Sequence, residues 1–245
     1  MINNETIRCL REMKLPALAD AFKEHLESAT VPDLSFEEMF GLMVQREYAN
    51  RRNNRISRFT KKAGYKEAQA YMENIDYRED RKLDRALLTR MSSCVYISER
   101  KNVILLGASG SGKTYIGCAL GTAANRHSIQ SMYVSTPALM DELTILRGSD
   151  EYIKKLALLK RVSLLILDDW LLFKPRAESI PELYGIIDAR YKTGSTIFCS
   201  QFQTEGWHQQ LGGDTAADAI CDRIIHGAIT IRIEGTESMR KISNQ

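Results

Sequence analysis

The stretch NVILLGASGSGKTYIGCAL, residues 102–120, decides how this chain folds. Val103–Leu106 form a short apolar run with two β-branched residues, the composition of a buried strand. Gly107-Ala108-Ser109-Gly110-Ser111-Gly112-Lys113-Thr114 then satisfies every defined position of G-x-x-x-x-G-K-[ST]. Ile116, Ala119, Leu120 and Ala123 follow at helical spacing. Strand, glycine-rich turn and helix in that order make a phosphate cradle. The glycines admit backbone torsions closed to other residues, so amides can turn inward toward anionic oxygens. The positive end of the following helix faces the same point. In such a loop Lys113 reaches the β- and γ-phosphates of a nucleoside triphosphate, and the Thr114 hydroxyl meets Mg²⁺.

Outward from this core, SMYVS (131–135), VSLLILD (162–168), STIFCS (195–200) and AITIRIE (228–234) read as further strands. Helix candidates lie between them near 113–126, 137–160, 179–192 and 215–227. Three of the five strand candidates are nearly unbroken apolar runs, and their alternation with helices predicts an α/β domain with a parallel sheet covered on both faces. LLILDD (164–169) ends a buried strand on two carboxylates. Asp168 is expected to hold Mg²⁺, and Asp169 to orient or activate the attacking water. Asp169 is one methylene shorter than a glutamate, so slow hydrolysis is expected. Ser200 and Gln201, at the next strand end, are candidates to meet the γ-phosphate. Arg223 and Arg240 are either surface arginines or stabilisers of transition-state charge, one from a neighbouring subunit and one from the same chain; spacing does not choose.

Residues 1–95 have a different texture, and a helical N-terminal domain is expected there, with 96–245 as the nucleotide domain. Ile7, Leu10, Leu18, Phe22 and Leu26 recur at helical spacings, interrupted by Pro16. Ser35-Phe36-Glu37-Glu38 forms a capping box opening a helix that runs to about Ala63, before Gly64. Residues 46–66 hold eight basic residues against the single acid Glu47, although the whole chain carries a net charge of only +3. Arg51, Arg55, Arg58 and Lys62 fall on one helix face, with Arg52 and Lys61 beside them. Such a stripe attracts a polyanion and reads phosphates rather than base edges. Arg147, Lys154, Lys155, Lys174 and Arg176 are further basic candidates. DRKLDRALLTRM (80–91) reads as one more helix.

Composition narrows the class. The 245 residues are 44% hydrophobic and 27% charged, ordinary for a globular protein. No apolar run suits a membrane span, and no signal peptide is apparent at the start. Five cysteines without a C-x-x-C pair argue against a disulfide framework or zinc site and for a reduced, cytoplasmic setting. Trp170 and Trp207 read as core or interface residues.

GASGSGKTYIGCALGTAA, LLILDDW, SQFQTEGWHQQL, AADAICDRIIHGA and GTESMRK occur in this order. With REYANRRNNRISRFTKKAGY and YREDRKLDRALL upstream, they resemble IstB-type transposition helpers, AAA+ ATPases encoded by insertion sequences beside their transposase. The resemblance covers nearly the whole chain. It implies an ASCE-type P-loop sheet in which the strand carrying Asp168 is not the sequence neighbour of the strand before the phosphate loop. It also implies ATP and Mg²⁺ as ligands, and ATP-dependent self-assembly on double-stranded DNA with nucleotide at subunit interfaces. Recruitment and stimulation of an IstA-type transposase would follow. By position Arg223 matches the family's trans-acting arginine, Arg240 its second sensor, and Gln201 or Ser200 its first sensor. DnaC-type helicase loaders are the nearest alternative; they share the fold but grip a helicase and single-stranded DNA.

Overall fold

The computed structural model of the chain describes residues 2–28, 34–235 and 239. The chain divides into two compact units, Met1–Arg58 and Phe59–Gln245.

The first unit is helical. Helices α1 (Ile2–Glu12) and α2 (Pro16–Glu27) precede the 28-residue α3 (Phe36–Ala63), within which the division at Arg58 falls. Pro16 opens α2, where its missing N–H costs nothing. The expected capping box is present at α3: Glu38 N–H donates to Ser35 Oγ at 3.2 Å and Ser35 N–H to Glu38 Oε2 at 2.8 Å. The buried Glu47 of α3 accepts the amides of Ala17 (2.9 Å) and Leu18 (3.1 Å), so a carboxylate from one helix caps the start of another. Arg51 donates through Nε to Glu47 (2.7 Å) and through its guanidinium to the Lys14 carbonyl (2.6 Å). Phe36 and Phe40 of α3 stack at 6.0 Å and are exposed.

The second unit holds the sheet and includes residues upstream of the expected domain start at 96. Ile75, Leu88, Met91 and Tyr96 share one buried cluster with Val103 and Leu105, so this segment is part of the sheet's core. It contains single helical turns at Met72–Asn74 and Glu79–Arg81, then α4 (Arg85–Met91) and α5 (Val95–Ser98). The helix expected over 80–91 starts only at Arg85, because Lys82 takes a left-handed conformation (φ 46°) and Asp84 caps the Leu87 amide at 2.9 Å.

The remaining elements alternate: β1 (Val103–Gly107), α6 (Lys113–Arg126), β2 (Ser131–Ser135), α7 (Thr136–Leu146), α8 (Asp150–Arg161), β3 (Leu164–Asp168), α9 (Ile180–Arg190), β4 (Ser195–Ser200), α10 (Trp207–Gln210), α11 (Thr215–Ile225) and β5 (Ile229–Ile233). All pairings are parallel, in the order β2-β3-β4-β1-β5. Successive side chains on β1 enter opposite layers, as strand geometry requires. Ile104 and Leu106 face the cluster containing Trp170, Phe198 and Trp207, while Val103 and Leu105 face the cluster containing Ile116 and Leu120. The two tryptophans are core residues, edge-to-face at 5.9 Å.

The single helix expected over 137–160 is two. Gly148 sits at φ +86°, and Ser149 caps α8 by accepting the Tyr152 amide at 3.2 Å. Arg190 is buried and donates to the carbonyls of Leu159, Val162 and Ser195 at 2.9, 2.7 and 2.5 Å and to Thr196 Oγ1 at 2.8 Å. Burial pulls its guanidinium down to about 10, and these acceptors tie α8, α9 and β4 together.

Candidate nucleotide site

β4 lies between β1 and β3, and its register sets Ser200 beside Leu106. The C-terminal ends of β1, β3 and β4 therefore open at one edge of the sheet, where ligands of open parallel sheets bind. A cavity of about 450 Å³ lies there, lined by Ser109, Gly110, Gly112, Lys113, Thr114, Asp169 and Gln201 among others.

The loop has the geometry its sequence demands. Gly110 and Gly112 adopt φ +78° and +92°. A Cβ at Gly107 would stand 2.6 Å from the Ile233 carbonyl and from Ser111 Oγ; one at Gly112 would stand 2.8 Å from the Arg81 guanidinium. Side chains are excluded from both positions. Lys113 is only 8% exposed and folds over the loop, donating to the carbonyls of Gly107 (2.7 Å) and Ala108 (2.8 Å). The buried hydroxyl of Ser111 has no partner among the described residues. A buried ammonium and an orphaned donor beside a glycine cradle fit a polyphosphate.

Asp168 is 1% exposed, and its Oδ2 accepts from Thr114 Oγ1 and from the Tyr133 phenol, each at 2.8 Å. Burial, then the negative Asp168, pushes the Tyr133 phenol well above its ordinary value, so it remains a proton donor. Hydroxyl and carboxylate oxygens converging at the cradle form the hard-oxygen environment that suits Mg²⁺. Asp169 follows in a left-handed conformation (φ 53°), which turns it out of the strand so that it lines the cavity. Gln201 lines the same cavity. Ser200 does not; it is buried, donates to the Trp170 carbonyl at 3.0 Å and accepts the Phe202 amide at 3.1 Å.

Arg223 is not among the cavity-lining residues. Its Nε donates to Asp188 (2.8 Å) and its guanidinium to the Ala219 carbonyl (3.0 Å) and the Tyr184 phenol (3.2 Å) on the α9–α11 side of the unit. Arg240 lies outside the described residues. The basic residues Arg52, Arg55, Arg58, Lys61 and Lys62 of α3 are exposed, as is Arg51 with the two bonds given above. Two other basic candidates are ion-paired: Arg147 with Glu182 at 2.7 Å and Lys155 with Glu142 at 2.8 Å.

Neither Arg81, within YREDRKLDRALL, nor Tyr133, within SMYVS, is given a site role by its local sequence. Arg81 is buried and donates to the Ser111 carbonyl inside the phosphate loop at 2.7 Å and to the Asp76 carbonyl; its own carbonyl accepts Glu234 N–H at 3.2 Å. It ties the loop to the segment before α4 and to the end of β5. Cys118 and Cys199 lie near this edge as buried thiols; burial pushes Cys118 up to about 12 and Cys199 well above its ordinary value.

A parallel sheet of order β2-β3-β4-β1-β5, with a phosphate loop after β1 and an acidic end on β3, defines an AAA+-type P-loop protein. Residues 8–245 match the model of the IstB-like ATP binding protein family, and the chain belongs to that family. It is 36% identical over 241 residues to y4pL of Sinorhizobium fredii, named as an insertion sequence ATP-binding protein, covering 98% of each chain. The crystal structure of DnaI superposes with a TM-score of 0.58 at 26% identity, over 70% of this chain and 91% of that one. The DnaC helicase loader superposes with a TM-score of 0.55 over 67% of this chain and 97% of that one; at 18% identity this likeness concerns the fold. No described helix is long and apolar enough to cross a membrane.

Proposed function

We propose that this chain is a cytoplasmic ATP-dependent helper of insertion-sequence transposition. It binds ATP in the β1–α6 loop, assembles with copies of itself on duplex DNA, and recruits and stimulates an IstA-type transposase at the target. One observation carries the nucleotide part: Lys113, Thr114, Asp168, Asp169 and Gln201, from three segments of the chain, meet at one cavity edge. Family membership supports the transposition part.

In this reading the amides of 107–114 and the Lys113 ammonium hold the phosphates. Thr114 and Asp168 would hold Mg²⁺, which would supply positive charge to offset that of the phosphates. Asp169 accepts hydrogen bonding from the attacking water and orients it. Gln201 holds the γ-phosphate end as the first sensor. Arg223 serves the site of a neighbouring subunit from the α9–α11 side, and Arg240 serves as the second sensor. A nucleotide seated between subunits makes hydrolysis depend on assembly. The basic face of α3, Arg51 to Lys62, grips DNA phosphates; Arg51 also holds Glu47, so the other five contribute most.

A helicase-loader reading is favoured by the fold likeness to the DnaC helicase loader. Fluorescence anisotropy with duplex and single-stranded DNA, with a non-hydrolysable ATP analogue, separates the two. Preference for duplex is expected, with log affinity falling against log salt at a slope of about −4 to −5 for five neutralised phosphates. Lys113→Ala is expected to lose the nucleotide-dependent component. Preference for single strands together with helicase binding would establish the loader reading instead.

A further inference from the structure

Carbonyls of the phosphate loop are held by donors from well-separated parts of the chain. Lys113 takes those of Gly107 and Ala108. The Met239 amide donates to the Gly110 carbonyl at 2.9 Å, and the Arg81 guanidinium to the Ser111 carbonyl at 2.7 Å. In a planar trans peptide the carbonyl points opposite to the N–H of the next residue. Fixing the Ser111 carbonyl therefore fixes the Gly112 N–H, and turns it away from Arg81.

Arg81 is itself firmly placed. It is 4% exposed, and its planar fork spans two carbonyls, those of Ser111 and Asp76. The Asp76 carboxylate accepts the Arg78 amide at 3.0 Å and Arg78 Nε at 2.8 Å, which closes the turn that carries Arg81. On the other side, the Arg81 carbonyl accepts the Glu234 amide at 3.2 Å, and Lys82 pairs with the Glu234 carboxylate at 2.6 Å. The guanidinium is thus registered against the end of β5 and does not depend on the loop for its position. It keeps its proton when buried, so the donor is permanent.

Gly112 leaves the space that this approach needs. A Cβ there would stand 2.8 Å from Arg81 Nη2, on a residue already at φ +92°. The last glycine of the motif is demanded twice, by its own torsion and by the closeness of Arg81. Arg81 and Gly112 both line the nucleotide cavity.

We propose that Arg81 is a positioning residue for nucleotide binding: by holding the Ser111 carbonyl outside the loop, it keeps the Gly112 N–H facing the phosphates. The cradle is then set before a nucleotide arrives, and the cost of ordering it is met in folding. The inference rests on the ATP binding proposed above and adds a residue outside the loop on which that binding depends.

The test is equilibrium binding of fluorescent ATP and ADP analogues to the full chain, at a temperature where circular dichroism shows each variant folded. Wild type is compared with Arg81→Met, Arg81→Lys and Lys113→Ala. Arg81→Met keeps the length and removes every donor. Its Kd for ATP is expected to rise about 10- to 100-fold, the scale of one charge-assisted hydrogen bond. Its Kd for ADP is expected to rise by the same factor, because the loop amides cradle phosphates common to both nucleotides. Arg81→Lys returns the charge and a donor and is expected to recover most of the loss. Arg81→Gln, neutral and shorter, takes the place of Arg81→Met if that variant does not fold. Wild-type affinity for both nucleotides in the folded neutral variant overturns the inference, leaving Arg81 a staple of the fold and the proposed function standing. A larger loss for ATP than for ADP would make Arg81 a contact of the γ-phosphate and overturn the positioning role. Arg81→Lys as weak as the neutral variant overturns it as well. Failure of wild type to bind either nucleotide, or binding by Lys113→Ala equal to wild type, would overturn the proposed nucleotide site itself and this inference with it.

Discussion

The Tyr133 phenol donates to Asp168 Oδ2 at 2.8 Å, the same oxygen that accepts from Thr114. Two donors from β2 and α6 thus orient a carboxylate at the end of β3. A buried carboxylate held this way presents its remaining lone pairs in one direction, which is how outer-shell partners tune a metal site.

Tyr133→Phe removes the donor and keeps the ring. The fold should persist, and the Mg²⁺ concentration for half-maximal hydrolysis should rise about tenfold, within the range of outer-shell losses. A Mg²⁺ titration of hydrolysis at saturating ATP checks this. An unchanged midpoint would show that Thr114 alone suffices to orient Asp168.

Asp169→Asn keeps the size of the side chain and removes its charge. Nucleotide binding should be close to wild type, while hydrolysis falls by about 10²–10⁴, the usual share of a positioned base. Equilibrium binding of a fluorescent ATP analogue, read beside single-turnover hydrolysis, separates the two effects. Loss of binding would move Asp169 from the reaction to the cradle.

Arg223 holds Asp188 and Tyr184 within its own chain, so its removal perturbs packing as well as any neighbouring site. Asp188→Asn breaks the ion pair and leaves the guanidinium in place. Arg223→Ala should lose hydrolysis in the assembled protein by about 10³ or more, the scale of a trans arginine, whereas Asp188→Asn should retain it. Equal losses in the two variants would assign Arg223 to structure alone.

Glu47 tests the helical unit through pH. Burial raises its carboxyl, but the Arg51 hydrogen bond and the Leu18 and Ala17 amides outweigh this, so its folded value lies below the ordinary one. A carboxyl lowered on folding stabilises above its unfolded value, near pH 4.3, and loses that contribution as pH falls through the folded value. Glu47→Gln should cost about 1 kcal/mol at neutral pH, as loss of a cap does. Its stability should also fall less than wild type on acidification below about pH 4. Thermal melts monitored by circular dichroism across that range measure both.

The local patterns carried far in this chain. The five strand candidates became the five strands, and the glycines of 107–112 announced a loop that only glycine torsions can build. The capping box at Ser35–Glu38 formed as spelled, because both partners lie within one helical turn. Where local signals are weak, the structure departs from them. Gly148 and Ser149 split what looked like one helix, and left-handed Lys82 delayed α4, since a single unfavourable torsion outweighs a modest run of helix formers. The pairing of Glu142 with Lys155 and of Glu182 with Arg147 joins residues 13 and 35 positions apart, which no spacing rule reports.

From sequence alone came the identity of the phosphate loop, the acidic strand end and the basic face of α3, each written in residues close together along the chain. The strand order that inserts β4 between β1 and β3 belongs to the three-dimensional fold, as do the presence of Gln201 and not Ser200 in the cavity lining and the hold of Tyr133 on Asp168. Local torsional preference and hydrophobic period act over a few residues and can be read in order. Packing and hydrogen bonding between distant segments depend on which surfaces meet, and that is set only when the sheet closes around its two cores.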